Sequence, residues 1–161
     1  MSAQPIPTPA APAGMVSPDP DYAAKVRDSF DRQAAMRLIG ATVTAVRPGF
    51  CEARLAHREE LTQQHGFIHG GVVGMIADSA CGYAGYSMMP LGASVLTVEY
   101  KINMLSPAVG EALIARGRVI KPGKTLVITQ CDVFALQNGA EKLVAVMQQT
   151  LMVMHGRKDH A

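Results

Sequence analysis

The residues of this 161-residue chain that are best suited to take part in a reaction are a glycine pair and an aspartate in one predicted helix. Gly70 and Gly71 follow His69 at the predicted start of a helix, and Asp78 lies about two turns further along the same helix. The first N–H groups of a helix have no intrahelical partner and can therefore hold an oxyanion. A carboxylate can act as a general base or as a nucleophile. Together these groups suggest the transfer of an acyl group to water.

The distance between these groups bears on assembly. A rise of about 1.5 Å per residue separates Gly70 from Asp78 by about 12 Å along the helix axis, so both cannot touch one scissile carbonyl within one subunit. A second, antiparallel copy of the helix would bring its own Asp78 beside the first copy's Gly70. If the motif is catalytic, we expect the active unit to be a dimer.

One face of the predicted helix is nearly free of side chains apart from Asp78. Spacings of three and four residues place Gly71, Gly74, Cys81 and Gly85 on that face. The stripe would leave a slot for an acyl group, or it would let another element pack closely against the helix. The other flank is predicted to face a sheet and consists of Val72, Ile76, Ala80 and Tyr83.

The histidines and cysteines allow several interpretations. His69 could polarise a substrate, or it could cap the helix. Cys81 lies one turn from Asp78, but without a nearby histidine base it is better explained as a small buried residue. The other histidines show no metal-ligand spacing and there is no Cys-x-x-Cys, so we predict neither a metal site nor a cofactor.

Composition restricts the class of protein. Hydrophobic residues make up 48% and charged residues 17%, and the net charge of +2 gives no reason to expect nucleic acid or a membrane surface as a partner. The three cysteines lie far apart, which favours a reducing compartment, and we predict a cytoplasmic protein. No stretch approaches the roughly 18 apolar residues of a membrane span.

The chain is predicted to form one domain over residues 19–155, between a disordered tail at 1–18 and a short tail at 156–161. The first tail holds several prolines and no charged side chain, so it cannot bury enough apolar surface to order itself. Within the domain we predict helices at 22–39 and 68–88, and strands at 42–46, 50–55, 94–103, 112–120, 125–136 and 142–153.

These elements predict an α+β fold with one long helix against a six-stranded, mostly antiparallel sheet, plus an N-terminal helix. The strand at 94–103 alternates most clearly. Strict alternation would place Leu96, Val98, Tyr100 and Ile102 on one face, and on the other face Thr97, Glu99, Lys101 and Asn103.

Two stretches resemble hotdog-fold acyl-CoA thioesterases of the phenylacetate-degradation (PaaI-type) branch. Residues 61–80 read LTQQHGFIHGGVVGMIADSA and residues 94–108 read SVLTVEYKINMLSPA. The likeness covers roughly residues 22–153, and two separate motifs agree in their spacing. It implies a hotdog fold, in which a curved antiparallel sheet wraps a central helix. It also implies subunits that pair through their sheets, as a homodimer at minimum and as a homotetramer built from two dimers.

The resemblance also implies a role for each residue of the motif. The Gly70 N–H would polarise the thioester carbonyl, and Asp78 of the partner subunit would activate water or attack directly. His69 would support the glycine turn, and Thr97 would lie near the carboxylate. Gln63 takes the place of an asparagine that in many relatives contacts the nucleophile or the thioester.

The CoA part of such a substrate carries phosphates that need cations. Arg116, Arg118, Lys121 and Lys124 cluster on the predicted hairpin and could bind those phosphates. The alternative is a charged hairpin tip in contact with solvent only.

The predicted function is therefore the hydrolysis of an acyl-CoA thioester to free acid and CoA. A non-catalytic acyl-CoA binder is the main alternative, although it would not need a carboxylate beside the glycine turn. Hotdog hydratases or dehydratases place an aspartate ahead of a catalytic histidine, whereas here the aspartate follows. A lipid-responsive regulator would need a DNA-binding motif that the chain does not provide. Aryl-acetyl, medium-chain and hydroxybenzoyl groups all stay open as the acyl part.

Overall fold

The computed structural model describes residues 14–157, so the predicted tails lie largely outside the described residues. The helices are α1 (Tyr22–Arg32), α2 (Ala34–Ile39) and α3 (Gly70–Tyr86). The strands are β1 (Ala41–Arg47), β2 (Phe50–Ala56), β3 (Ser94–Met104), β4 (Ala112–Lys121), β5 (Leu126–Gln137) and β6 (Ala140–Met154). No helix in this part of the chain is both long enough and apolar enough to cross a membrane.

The six strands form one sheet in the order β1-β2-β4-β5-β6-β3, and every neighbouring pair is antiparallel. Helix α3 contacts all six strands, so the sheet wraps around it. From Ile76 to Tyr86 the helix is buried nearly throughout, because most of its side chains are small or apolar. The predicted α+β hotdog fold is confirmed.

Glycine at position 117 of β4 allows α3 to lie directly on the sheet. A Cβ at Gly117 would overlap the backbone carbonyl of Ala80 and would come within 2.7 Å of the backbone nitrogen of Cys81. A side chain at this position would therefore push the helix away from the strand. The helix–sheet distance, and with it the position of every residue on α3, depends on this glycine.

We expect Gly117→Ala to lower the free energy of unfolding by about 1–3 kcal/mol, because the added methyl overpacks the helix–sheet contact. Urea unfolding at one protein concentration measures the change. Gly82→Ala is the matched control, since a Cβ at Gly82 of α3 meets no atom within 4 Å. In a helix this control exchange is expected to be neutral or stabilising. Equal unfolding midpoints for the two variants would contradict the prediction.

The single helix predicted at 22–39 is two helices separated at Gln33. This residue is extended (φ −66°, ψ 109°), and its N–H still closes α1 on the carbonyl of Phe30 at 3.0 Å. Both helices pack on β1, and α1 also lies on α3, where the rings of Phe30 and Tyr83 are 5.5 Å apart. The break lets both helices bury their apolar faces.

The strict alternation predicted for β3 is wrong, because the strand contains a bulge. Pairing with β6 shifts register between Thr97 and Glu99. A bulge adds one residue to a strand and so moves the following side chains to the opposite face. Thr97 therefore faces α3 together with Tyr100 and Met104 instead of pointing away from them.

Candidate active site

The N-terminus of α3 is capped by its own histidine. The Gly71 N–H donates to Nδ1 of His69 at 2.9 Å, and the His69 N–H donates to the carbonyl of Leu61 at 2.9 Å. Of the two interpretations of His69, the structure shows the helix cap. No hydrogen bond in the described part of the chain uses the Gly70 N–H, so this donor is available to a ligand.

A cavity of about 360 Å³ opens at Gly70. Gln63 lines it from the preceding loop, where its own N–H donates to the carbonyl of Phe67 at 2.9 Å. The structure thus brings Gln63 and Gly70 of one subunit to the same cavity. The remaining walls are mostly apolar and come from Phe67, Ile68, Val73, Met104, Leu105, Ser106, Pro107, Ala108 and Val144.

Asp78 is half-buried, and only one of its two carboxylate oxygens accepts hydrogen bonds from the described residues. Thr97 Oγ1 donates to Asp78 Oδ1 at 2.8 Å, and Nε2 of Gln149 on β6 donates to the same oxygen. The Gln149 amide also donates to Thr97 Oγ1 at 2.9 Å, so the three side chains form a closed triangle. Among the described residues, none donates to Asp78 Oδ2, which leaves that oxygen free to react.

A second, smaller cavity of about 130 Å³ lies beside Asp78. Polar side chains line part of this cavity, because α1 contributes Ser29 and α3 contributes Tyr83. The hydroxyl groups of these two residues are 3.0 Å apart. Gln33, at the break between α1 and α2, also lines this cavity, and its Oε1 is buried with no hydrogen-bond partner among residues 14–157. Helix α1 and the break after it therefore line the cavity beside Asp78.

Gly70 and Asp78 open into different cavities of the same subunit. Strand β3 runs along α3, and its side chains contact the helix at successive points between Gly70 and Asp78. Met104 Cε lies 3.5 Å from a Cβ placed on Gly70, and the Tyr100 hydroxyl lies 3.9 Å from one placed on Gly74. Thr97 reaches Asp78 at the far end. The structure brings Asp78 and Thr97 together, but not Asp78 and Gly70.

The predicted glycine slot along α3 does not form as one surface. Gly71 is exposed at the helix start and Gly74 is covered by Tyr100. Cys81 is fully buried beside Cys131, away from both cavities, and a Cβ at Gly85 would overlap Leu151 of β6. Burial raises the pKa of the Cys131 thiol well above its ordinary value, and the hydrogen bond with Cys81 acts in the same direction.

The cationic hairpin residues differ in their surroundings. Arg116 is buried and pairs with Glu52 at 2.7 Å and with Glu141 at 2.6 Å. Arg118 pairs with Asp132 at 2.8 Å. The two lysines of the predicted patch are exposed at the β4–β5 turn; they are Lys121 and Lys124. No group of three or more potential metal ligands lies together within residues 14–157.

Sequence reasoning missed Gln149. A polar residue in a largely apolar predicted strand can indicate a functional side chain. Here two glutamines are adjacent, Gln148 and Gln149, and the sequence does not show which of them faces the protein interior. Only the register with β3, which pairs Gln149 with Tyr100, shows which of the two points inward.

Comparison with known proteins gives one consistent result. The family model described as Thioesterase superfamily matches residues 65–142. The chain is 31% identical over 116 residues to human acyl-coenzyme A thioesterase 13, covering 71% of this chain and 81% of the human protein.

Solved structures agree with this result. A thioesterase family protein from Silicibacter pomeroyi superposes with a TM-score of 0.83 at 47% identity, covering 84% of this chain and 99% of that one. The E. coli PaaI protein from the phenylacetic acid degradation operon superposes with a TM-score of 0.76 over 85% of this chain and 96% of that one. Its identity is 20%, so it shows the fold alone.

Proposed function

The chain belongs to the thioesterase superfamily and is a thioester hydrolase, and from this premise we propose that it hydrolyses an acyl-CoA thioester in an active site shared by two subunits. The observation that carries the proposal is the arrangement of Asp78, which presents one free carboxylate oxygen while Thr97 holds the other. A protein that only binds acyl-CoA would not need a carboxylate prepared in this way.

The exposed edge of the sheet supports a dimer. Strand β3 ends the sheet order, and its apolar side chains are exposed at Leu96 (54%), Val98 (53%), Tyr100 (49%) and Met104 (48%). A long apolar edge strand pairs with another chain unless something covers it. Two copies of β3 paired antiparallel would cover both edges.

Such a pairing would also complete the active site. Gly74 lies midway between Gly70 and Asp78 on α3, and Tyr100 of β3 lies over Gly74. A two-fold axis at Tyr100 would place the Gly70 end of one α3 beside the Asp78 end of the other. The cavities of about 360 Å³ and 130 Å³ would then belong to one site.

In the reaction that we propose, the Gly70 N–H donates to the thioester carbonyl oxygen and stabilises its developing negative charge. Asp78 of the partner subunit then acts in one of two ways. As a base it takes a proton from water while the water oxygen attacks the carbonyl carbon. As a nucleophile it attacks that carbon itself, and water opens the resulting anhydride. In both routes the C–S bond breaks and CoA leaves as a thiolate that takes up a proton.

The other predicted residues fit supporting roles. His69 would hold the turn that exposes the Gly70 N–H, Thr97 would orient the carboxylate, and Gln63 would contact the thioester. Lys121 and Lys124 would bind the CoA phosphates. The homotetramer, the cytoplasmic location and the membership of the PaaI-type branch stay predictions.

Mixing two inactive variants tests whether the site is shared. Gly70→Pro lacks the N–H donor, and Asp78→Asn lacks the carboxylate. In a mixed dimer one site carries both changes and the other carries neither, so random exchange should restore about one quarter of the wild-type rate per chain. Free-thiol release from acyl-CoA measures the rate.

In the control mixture, Asp78→Asn is kept and Gly70→Pro is replaced by the double variant Gly70→Pro/Asp78→Asn. No dimer in this mixture has an intact site. We expect no recovery in that mixture. If subunits exchange, as followed by mass, and the first mixture also stays inactive, both residues of a site come from one chain and the shared site is wrong.

A further inference from the structure

We propose that Gln149 is a positioning residue that fixes the plane of the Asp78 carboxylate, so that Oδ2 is the oxygen that reacts. This inference rests on the proposed function, because it assumes that Asp78 carries out the chemistry. It assigns a task to a residue on β6, far along the chain from the glycine–aspartate motif.

The first argument is the number of donors on one oxygen. A carboxylate has two equivalent oxygens and can rotate about its bond to Cβ. Gln149 Nε2 and Thr97 Oγ1 both donate to Oδ1, which distinguishes that oxygen from Oδ2. With two donors on Oδ1, rotation of the carboxylate would break two hydrogen bonds at once.

The second argument is the closed geometry of the triangle. A threonine hydroxyl rotates freely and could donate elsewhere. Since Gln149 donates to Thr97 Oγ1 at 2.9 Å, the hydroxyl proton of Thr97 is directed away from Gln149 and toward Asp78. Gln149 thus acts on the carboxylate directly and also through Thr97.

The third argument is the cost of burying the amide. The inward face of β6 is otherwise apolar, with Met147 and Leu151 on either side, and Gln149 is only 1% exposed. Its Oε1 is buried without a hydrogen-bond partner in the described structure. An unsatisfied buried acceptor destabilises a fold. Methionine would fill the same space without burying an unpaired acceptor, so apolar packing of β6 does not by itself explain a glutamine here.

Gln149→Met is the direct test, because methionine keeps the length and apolar fit of the side chain and removes the donor. We expect kcat to fall about tenfold, with KM within about twofold of wild type, because a misoriented catalytic group slows chemistry more than binding. Gln148→Met is the matched control, since Gln148 is the exposed neighbour on the opposite face of β6.

Gln149→Glu adds a second measurement, the pH dependence of the rate. If Gln149 only packed in the core, this variant would not acquire a new pH dependence. An ionised glutamate cannot donate to Asp78 Oδ1, whereas a protonated one can. The rate of this variant relative to wild type should therefore rise as the pH falls. The titratable groups that face position 149 in the described structure are Asp78 from α3 and Tyr100 from β3, while β5 presents Thr129.

The outcomes separate this inference from the proposed function. Full activity of Gln149→Met beside an inactive Asp78→Asn would overturn the role of Gln149 alone. A rise in KM at unchanged kcat would also overturn it, because Gln149 would then bind substrate. Full activity of Asp78→Asn would overturn both. If Gln149→Met does not fold, a pH-independent ratio for Gln149→Glu overturns the inference.

Discussion

Replacing Asp78 with asparagine is expected to lower kcat by about 10²–10⁴-fold, the usual contribution of a general acid or base. Asparagine has the same shape, and its carbonyl oxygen can still accept from Thr97 and Gln149, as Oδ1 of Asp78 does. An NH₂ group would then occupy the place of the free Oδ2. An amide nitrogen neither takes a proton from water nor attacks a thioester. The variant therefore keeps the hydrogen bonds to Thr97 and Gln149 but loses the group that carries out hydrolysis.

Free-thiol release from short, medium, long and aromatic acyl-CoA measures this loss and finds the preferred acyl group. Asp28→Asn is the control, because Asp28 is an exposed carboxylate on α1 that pairs with Arg32 at 2.5 Å. We expect wild-type turnover for the control and wild-type fold and oligomeric mass for both variants. Unchanged hydrolysis by Asp78→Asn would contradict the assignment.

Gly70→Pro is expected to lower kcat by about 10²–10³-fold, which is the cost of losing one oxyanion donor. Gly70 is the first residue of α3, the position at which proline is best tolerated in a helix. His69 before it is already extended (φ −60°, ψ 137°), as a residue preceding proline should be. The substitution therefore removes one N–H and leaves the helix in place.

Gly70→Ala distinguishes the effect of losing the N–H donor from the effect of filling the space beside Gly70. Alanine keeps the donor, and its Cβ would meet Met104 Cε at 3.5 Å, an ordinary contact. We expect this variant to retain kcat within a few-fold, because the oxyanion donor is unchanged. Equal losses in Gly70→Ala and Gly70→Pro would mean that space at the helix start matters and the N–H does not.

Most of the fold could be predicted because its signals are local. The Pro48–Gly49 and Asn138–Gly139 turns end strands by backbone conformation, with φ of 72° at Gly49 and 75° at Gly139. The sequence also predicted a long helix at 68–88 with one flank against the sheet, and the structure places this helix at Gly70–Tyr86. The break at Gln33 had no such signal. Neither proline nor glycine stands there, and the break follows from tertiary packing, in which both helices contact β1 and α1 also contacts α3.

Residue order alone sets which chemical groups stand on α3 and how far apart they lie, because each helical residue adds a fixed rise along the axis. Gly70 and Asp78 are for this reason separated by about 12 Å in any helical structure of this chain. The side chains that surround these groups depend instead on how the strands pack around α3. Thr97 faces Asp78 because of a bulge in β3, and Gln149 reaches it from a strand 71 residues away in sequence. Register and long-range packing set these contacts, and no local pattern of residues encodes either one.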